Sequence, residues 1–275
     1  MRMILILART TLREASRRRI SWIGLGLGLL FLLIYGLGVN ALKNNVLTAG
    51  RALGGEIGST LLLMGLYVVY LLSGLSTILV SADTLAGEIS SGTIHTLASK
   101  PIGRWQILLG KALGLVVLLF AYVLLLGGGV VLLVYLLMGY SPSGLAPAAG
   151  LIALNVLVLL SLSLLGGTAL STLANGALTI GLFGVSFVGG LMEQIGALAH
   201  DQTVINVGII SGLILPSDTL WRRAAFGMQP PLLSQAGITP FSTVSVPSDA
   251  MIIYAGVYFI VLLAFALLRF QHRDL

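Results

Sequence analysis

GEISSGTIHTLASKPIGR, residues 87–104, is the one substantial polar, charge-bearing segment between two long apolar stretches. Its surroundings decide the fold class. The 275-residue chain is 57% hydrophobic and only 9% charged, with a mean hydropathy of +1.05. Soluble domains carry about a quarter charged residues, so this composition is that of an integral membrane protein, and residues 87–104 are where such a protein meets water. The length suffices for about six spanning helices of roughly 20 apolar residues each, which leaves one membrane domain, 1–275, and no room for a separate soluble one. There are no cysteines, which excludes disulfides, thiolate metal sites and cysteine nucleophiles. The net charge of +6 is no nucleic-acid signal here, because basic residues in a membrane protein set orientation and meet anionic lipid.

Working outward, residues 1–19 form an amphipathic stretch. Ile4, Leu7, Ala8, Leu12 and Ala15 share one helical face, while Arg9, Arg13 and Arg17 recur on another. The pattern is that of a helix in the membrane interface, with arginines among lipid headgroups. The apolar run that follows, about 23 residues, exceeds the ~7–15 of a signal-peptide core. Spans are predicted at Ile20–Leu42, Ser59–Val80, Ile107–Met138, Ala148–Thr172, Ala177–Gln194 and Ala250–Phe270. The third is long enough to start in the cytoplasm, to tilt or to break at Gly127-Gly128-Gly129, and Leu173-Ala174-Asn175-Gly176 reads as a tight turn between the fourth and fifth. Strand-like alternation is absent, and in lipid that leaves helices to satisfy the backbone.

Counting basic residues sets the orientation. With both termini in the cytoplasm, Arg2, Arg9, Arg13, Arg17, Arg18, Arg19, Lys100, Arg104, Lys111, Arg269 and Arg273 lie inside, and Lys43, Arg51, Arg222 and Arg223 outside. That distribution obeys the positive-inside rule. Residues 195–249 read as an external or re-entrant segment: Val204–Leu215 is too short to span, Ser217 or Asp218 caps a short helix through Thr219–Phe226, and four prolines hold an extended return. Arg222 and Arg223 are accordingly expected at the outer surface, open to a membrane-impermeant probe.

Catalytic signatures are missing. The nearest fragment to a phosphate-binding loop, Gly110-Lys111-Ala112, lacks the first glycine and the hydroxyl that holds magnesium. His95, His200 and His272 are far apart, and no Gly-x-Ser-x-Gly elbow occurs. Metal-binding and cofactor-binding residues are expected to be absent, and the chain is not expected to bind ATP or act as an enzyme.

The loop after the second span remains. Leu85, Ile89, Thr93 and Leu97 lie one turn apart and would present a narrow apolar ridge. Ser91-Gly92-Thr93 is a breaking and recapping point, and Pro101 stops the second piece. A short helix of this kind suits docking into a groove on a soluble partner, or lies on the membrane surface as an ordinary loop helix.

The same segment resembles the coupling region of ABC-2 type (type V exporter-like) permeases: Gly-Glu, then Gly-Thr, a leucine-containing turn, Pro and Arg. Gly87, Glu88, Gly92, Thr93, Ile94, Leu97, Pro101 and Arg104 match, followed by Gly110-Lys111. Ala98 departs from the family's usual leucine or serine. Pro216, Asp218 and Arg222 after the fifth span, and the Arg273-Asp274-Leu275 ending, also look like that family. The resemblance implies an all-α fold with six transmembrane helices, an N-terminal interfacial helix (1–19) and a cytoplasmic coupling helix within 81–105. It implies a permease in a bacterial or archaeal cytoplasmic membrane, dimeric with a second, identical chain. Two ATPase subunits would carry ATP and magnesium. Gly87, Glu88, Ile89, Gly92, Thr93, Ile94, Leu97, Pro101 and Arg104 would couple to the ATPase. Glu88 would be the anchor, pairing with an arginine of the N-terminal helix or of the partner, or capping the Ser-Gly-Thr turn; the alternative is a glutamate simply solvated at the membrane mouth.

By the same resemblance, the second and fifth spans line the substrate path. Tyr67, Tyr70, Ser73 and Thr77 on one, and Ser186, Phe187 and Glu193 on the other, are the candidates. Small polar residues of this kind also serve as packing contacts between helices. A path this apolar favours a lipid, a drug-like amphiphile or a hydrophobic peptide. The competing function is a motorless membrane scaffold or assembly protein, which needs no coupling ridge. An intramembrane enzyme would need acids or a nucleophile near mid-membrane; the second to fourth spans have no charged residue in their centres, and Asn155 reads as a packing or hydrogen-bonding residue.

Overall fold

A computed structural model describes residues 2–48, 51–90, 103–141, 144–229 and 245–272, and every element within them is an α-helix. In chain order these are α1 (Arg2–Arg17), α2 (Arg19–Thr48), α3 (Arg51–Ser90), α4 (Arg104–Met138), α5 (Leu145–Gly167), α6 (Thr172–Ala199), α7 (Gln202–Ile214), α8 (Ser217–Phe226) and α9 (Asp249–His272). Six of them, α2 to α6 and α9, are long and apolar enough to cross a membrane. The protein is an all-α, six-span membrane protein. Its central helix is α5: 67% of its most apolar stretch is buried, against 11% for α2 and α9. Val156, Val158, Leu159 and Leu164 of α5 are fully enclosed among residues of α3, α4, α6 and α8.

The apolar face read in residues 1–19 is present, and a protein neighbour covers it. Leu7, Thr11 and Ala15 are buried, while Arg9, Arg13 and Arg17 on the other side are exposed. The neighbour is α4, which offers Gly110 and Gly114 to α1. A Cβ at Gly114 would fall 2.5 Å from the Ala8 carbonyl oxygen and 2.9 Å from Thr11. Only glycine lets the two backbones approach this closely.

Three local expectations are corrected. Helix α4 runs unbroken through Gly127-Gly128-Gly129, since nothing enters its hydrogen-bond ladder there. The turn between the fourth and fifth spans falls at Thr168–Ser171 rather than at 173–176. Ser171 is the N-cap of α6, its Oγ accepting from the Ala174 amide at 3.4 Å, so Asn175 lies inside the helix. The second span also continues past Val80 to Ser90 as one helix. Leu85 and Ile89 therefore belong to α3, and Leu85 is fully buried instead of forming a docking ridge. Thr93 and Leu97 lie outside the described residues.

We predict that Gly114→Val forces α1 off α4 and destabilises the fold by about 2 kcal/mol, the usual scale of overpacking. The apparent melting temperature of the purified chain in detergent should fall by several degrees. Gly128→Val, where an added Cβ meets nothing within 4 Å, should leave it unchanged.

Candidate functional site

The polar residues gather in two places, one at each end of the bundle. The first is the base of the hairpin between α3 and α4. Glu88, near the end of α3, forms an ion pair with Lys111 in the second turn of α4, with side chains 13% and 4% exposed. The partner is thus a lysine of the third span, not an arginine of the N-terminal helix. The arginine of that region, Arg18, instead bridges Glu14 at 2.6 Å and Asp83 at 2.8 Å. Asp83 also accepts from the Thr172 hydroxyl at 3.2 Å, so it joins the α1–α2 corner to α3 and α6. Gly87 sits one turn after Asp83, and any side chain there would collide with the Asp83 carboxylate. Its glycine leaves room for the bridge to Arg18.

Around this pair, Leu7, Leu85, Ile107, Leu108, Ala266 and Phe270 form a small apolar cluster separate from the main core. Arg104 donates to the Gln271 carbonyl at 3.0 Å, satisfying one of the last-turn oxygens of α9 that no helical amide reaches. Asn175 donates to the carbonyls of Ser163 (2.9 Å) and Ala82 (3.3 Å), binding α6 to α5 and α3 at the same end. Of the nine sequence-predicted coupling residues, Gly87, Glu88, Ile89 and Arg104 are brought together here. Gly92, Thr93, Ile94, Leu97 and Pro101 lie outside the described residues, between the two helices that this knot fixes.

The second site is built around α8. The chain turns by 109° between α7 and α8, and α8 enters the helix bundle: Ser217 to Arg222, Ala224 and Ala225 are buried. Trp221 is set against Tyr67 and Tyr70 of α3, with ring centroids 5.3 and 5.5 Å apart. Neither Ser217 nor Asp218 caps this helix. Its N-cap is Pro216, which supplies no side-chain hydrogen bond. Ser186 of α6 takes that role, accepting from the Asp218 amide at 3.1 Å and donating to the Leu215 carbonyl at 2.7 Å. Ser217 donates to Asn155 of α5 at 2.6 Å and lies 3.1 Å from the Tyr70 hydroxyl. Tyr254 and Tyr258 of α9 close the other open end, donating to the Leu213 and Ile214 carbonyls of α7 at 2.5 and 2.8 Å.

Arg222 is at the centre of this arrangement. It is 2% exposed and donates to Asp218 at 2.9 Å, Glu193 at 2.7 Å and the Ser245 carbonyl at 3.3 Å. The Ser245 hydroxyl donates to the other Glu193 oxygen at 2.5 Å. The expectation that Arg222 is open to an aqueous probe is corrected: two buried carboxylates hold it inside. Arg223 points the other way and pairs with the exposed Asp249. Sequence reasoning missed this cluster, although a signal existed. A glutamate in an apolar span needs a cation, and Asp218 and Arg222 stand at the i, i+4 spacing of a helical ion pair.

These contacts also locate the proposed lining residues. Tyr70, Ser73, Thr77, Ser186 and Glu193 are buried inside the protomer, whereas Tyr67 and Phe187 are half-buried. Ser73 and Thr77 donate back to α3 carbonyls at 2.9 and 2.7 Å, so these five do not form a free surface.

A family model, described as ABC-2 family transporter protein, matches residues 10–275. The chain belongs to the ABC-2 transporter family. No curated protein matches it. Membership makes this ABC-2 protein a multi-pass membrane transport component, in keeping with a permease subunit.

Removing one partner of a buried ion pair leaves an uncompensated charge and costs ~3–5 kcal/mol. Arg222→Met, which strands two carboxylates, should therefore sharply lower the thermal stability of this ABC-2 protein in detergent. Arg223→Met should not, because exposed pairs contribute ~0–1 kcal/mol. A cysteine at 223 should react with an impermeant maleimide in intact vesicles, and a cysteine at 222 only after denaturation.

Proposed function

We propose that this chain is the permease subunit of an ATP-driven exporter. Two copies form the substrate path and bind two copies of a separate ATPase, which carries ATP and magnesium. The observation that carries the reading is the knot that joins the two helices flanking residues 91–102 in sequence. Both flanks of that segment are fixed to each other by Glu88 and Lys111, to α1 through Leu7 and to α9 through Arg104 and Phe270. Force applied to such a segment cannot be absorbed by local bending. It moves the ends of α3, α4, α1 and α9 together, which is what a coupling element must do to turn a rigid-body motion into helix tilt. The basic residues of this end support a cytoplasmic location for it and for both termini.

The polar core around Arg222 supports the same mechanism from the opposite end. It binds α8 to α6 and α3, so the re-entrant pair travels with those helices and does not swing alone. The path then runs along a seam between two copies, reached from the half-buried Tyr67 and Phe187 and the exposed Val185, Val188 and Met192 of α6. A seam of this character favours a hydrophobic or amphiphilic substrate: a lipid, a drug-like molecule or a peptide.

Leu97→Asp is expected to leave the membrane level of the chain unchanged while reducing recovery of ATPase activity with the purified permease. A hot-spot residue is worth about 2 kcal/mol, or roughly thirtyfold. Glu88→Ala is expected to keep the ATPase bound but uncouple it, abolishing any dependence of the hydrolysis rate on the permease. Native ATPase recovery and native rate in both variants would contradict the coupling role.

A further inference from the structure

Where α1 meets α2 there is an apolar crevice of about 350 Å³ between α2, α3 and α4, within the ~300–1,000 Å³ usual for small-molecule sites. Ile20, Leu25, Leu118, Leu119 and Leu125 form its walls, and Trp22 stands at its edge. Ser76 is hydrogen-bonded to Tyr122, and the other polar side chains are turned to backbone oxygens. Ser21 donates to the Ala15 carbonyl at 2.6 Å, Ser16 to the Arg13 carbonyl at 3.0 Å and Tyr122 to the Gly24 carbonyl at 3.0 Å. What faces the crevice is hydrocarbon.

Beside it, beginning at the neighbouring residue of α1, is an open hollow of about 440 Å³ lined by Arg13, Glu14, Arg17 and Arg18. Glu14 and Arg18 are paired with each other, and Arg18 also with Asp83. Arg13 and Arg17 are exposed and bridge no carboxylate among the described residues. An apolar crevice beginning at Ser16, one residue from Arg17 and three from Arg13, two guanidinium groups that bridge no carboxylate among the described residues, is complementary to an anion carrying a hydrocarbon tail.

We propose that the α1–α2 corner holds one anionic phospholipid, its phosphate between Arg13 and Arg17 and an acyl chain in the crevice. Guanidinium forks match phosphate oxygens, and Trp22 at the edge suits the boundary between headgroups and hydrocarbon. The bound lipid fills the space between α2 and the α3–α4 pair, so it fixes the angle of α2 against them. This site does not depend on the transport reading.

Trp22 supplies the test. The full chain, carrying Trp105→Phe so that Trp22 is the exposed tryptophan and the remaining one, Trp221, is buried, is reconstituted in vesicles containing either dibrominated phosphatidylglycerol or dibrominated phosphatidylcholine, and tryptophan quenching is titrated. Phosphatidylglycerol should quench at the lower mole fraction. Arg13→Gln with Arg17→Gln should weaken that preference by about thirtyfold, which corresponds to about 1 kcal/mol per arginine. Ala121→Phe, which narrows the crevice without changing charge, should also abolish it. Equal quenching by the two lipids in the native chain would overturn the proposal. So would a preference that survives Ala121→Phe, because that would be diffuse attraction to the basic surface. Native mass spectrometry of the purified chain should show one retained anionic phospholipid, and a retained non-lipid amphiphile in its place would equally overturn it.

Discussion

A helix that ends inside hydrocarbon must have its open amides and carbonyls satisfied by other side chains, because no water reaches them. That constraint organises one whole end of this molecule. The bent pair α7–α8 places a helix start within the bundle and a helix end beside α9, and each finds a donor or acceptor on another span: Ser186 at the start of α8, Tyr254 and Tyr258 at the end of α7. Once α8 is inside, Arg222 is inside with it, and Glu193, Asp218 and Ser245 follow as its partners. Glycines complete the fit. At Gly208 an added Cβ would lie 2.7 Å from the Gly189 carbonyl oxygen, so α7 packs backbone to backbone on α6.

The opposite end is built on a different principle. There the helices stop near water, and charge is used to tie the ends of separate helices together. Glu88 and Lys111 close the α3–α4 hairpin, Arg18 and Asp83 hold the α1–α2 corner to α3, and Arg104 reaches the end of α9. The two ends are joined by α3, α5 and α6, whose packed apolar faces make displacement at one end a displacement of the whole helix.

The six spans were legible in the sequence because each is an uninterrupted apolar run, and α1 because its apolar residues keep a helical period. The hairpin base was legible in part: Glu88 stands out as a carboxylate at the end of an apolar run, but Lys111 is 23 residues away and no periodic pattern links them. The placement of α8 was not legible. Its sequence, SDTLWRRAAF, is too polar to look like a buried helix, and it becomes one only because its polar atoms meet complements on α5 and α6. For the same reason Ser73, Thr77 and Ser186 read as a polar surface when they serve internal hydrogen bonds. Polarity in a span reveals that a partner exists, not on which side of the helix it lies.

On the proposed function, this chain is the membrane half of a pump whose motor is a separate protein. Gentle detergent purification of the tagged chain from its native host, with mass spectrometry of what accompanies it, tests that most directly. A soluble protein with a phosphate-binding loop, recovered in equal amount with the permease and hydrolysing ATP, is the predicted result. A chain that arrives alone across several detergents would contradict it, and would leave a six-helix membrane protein with no motor to couple to.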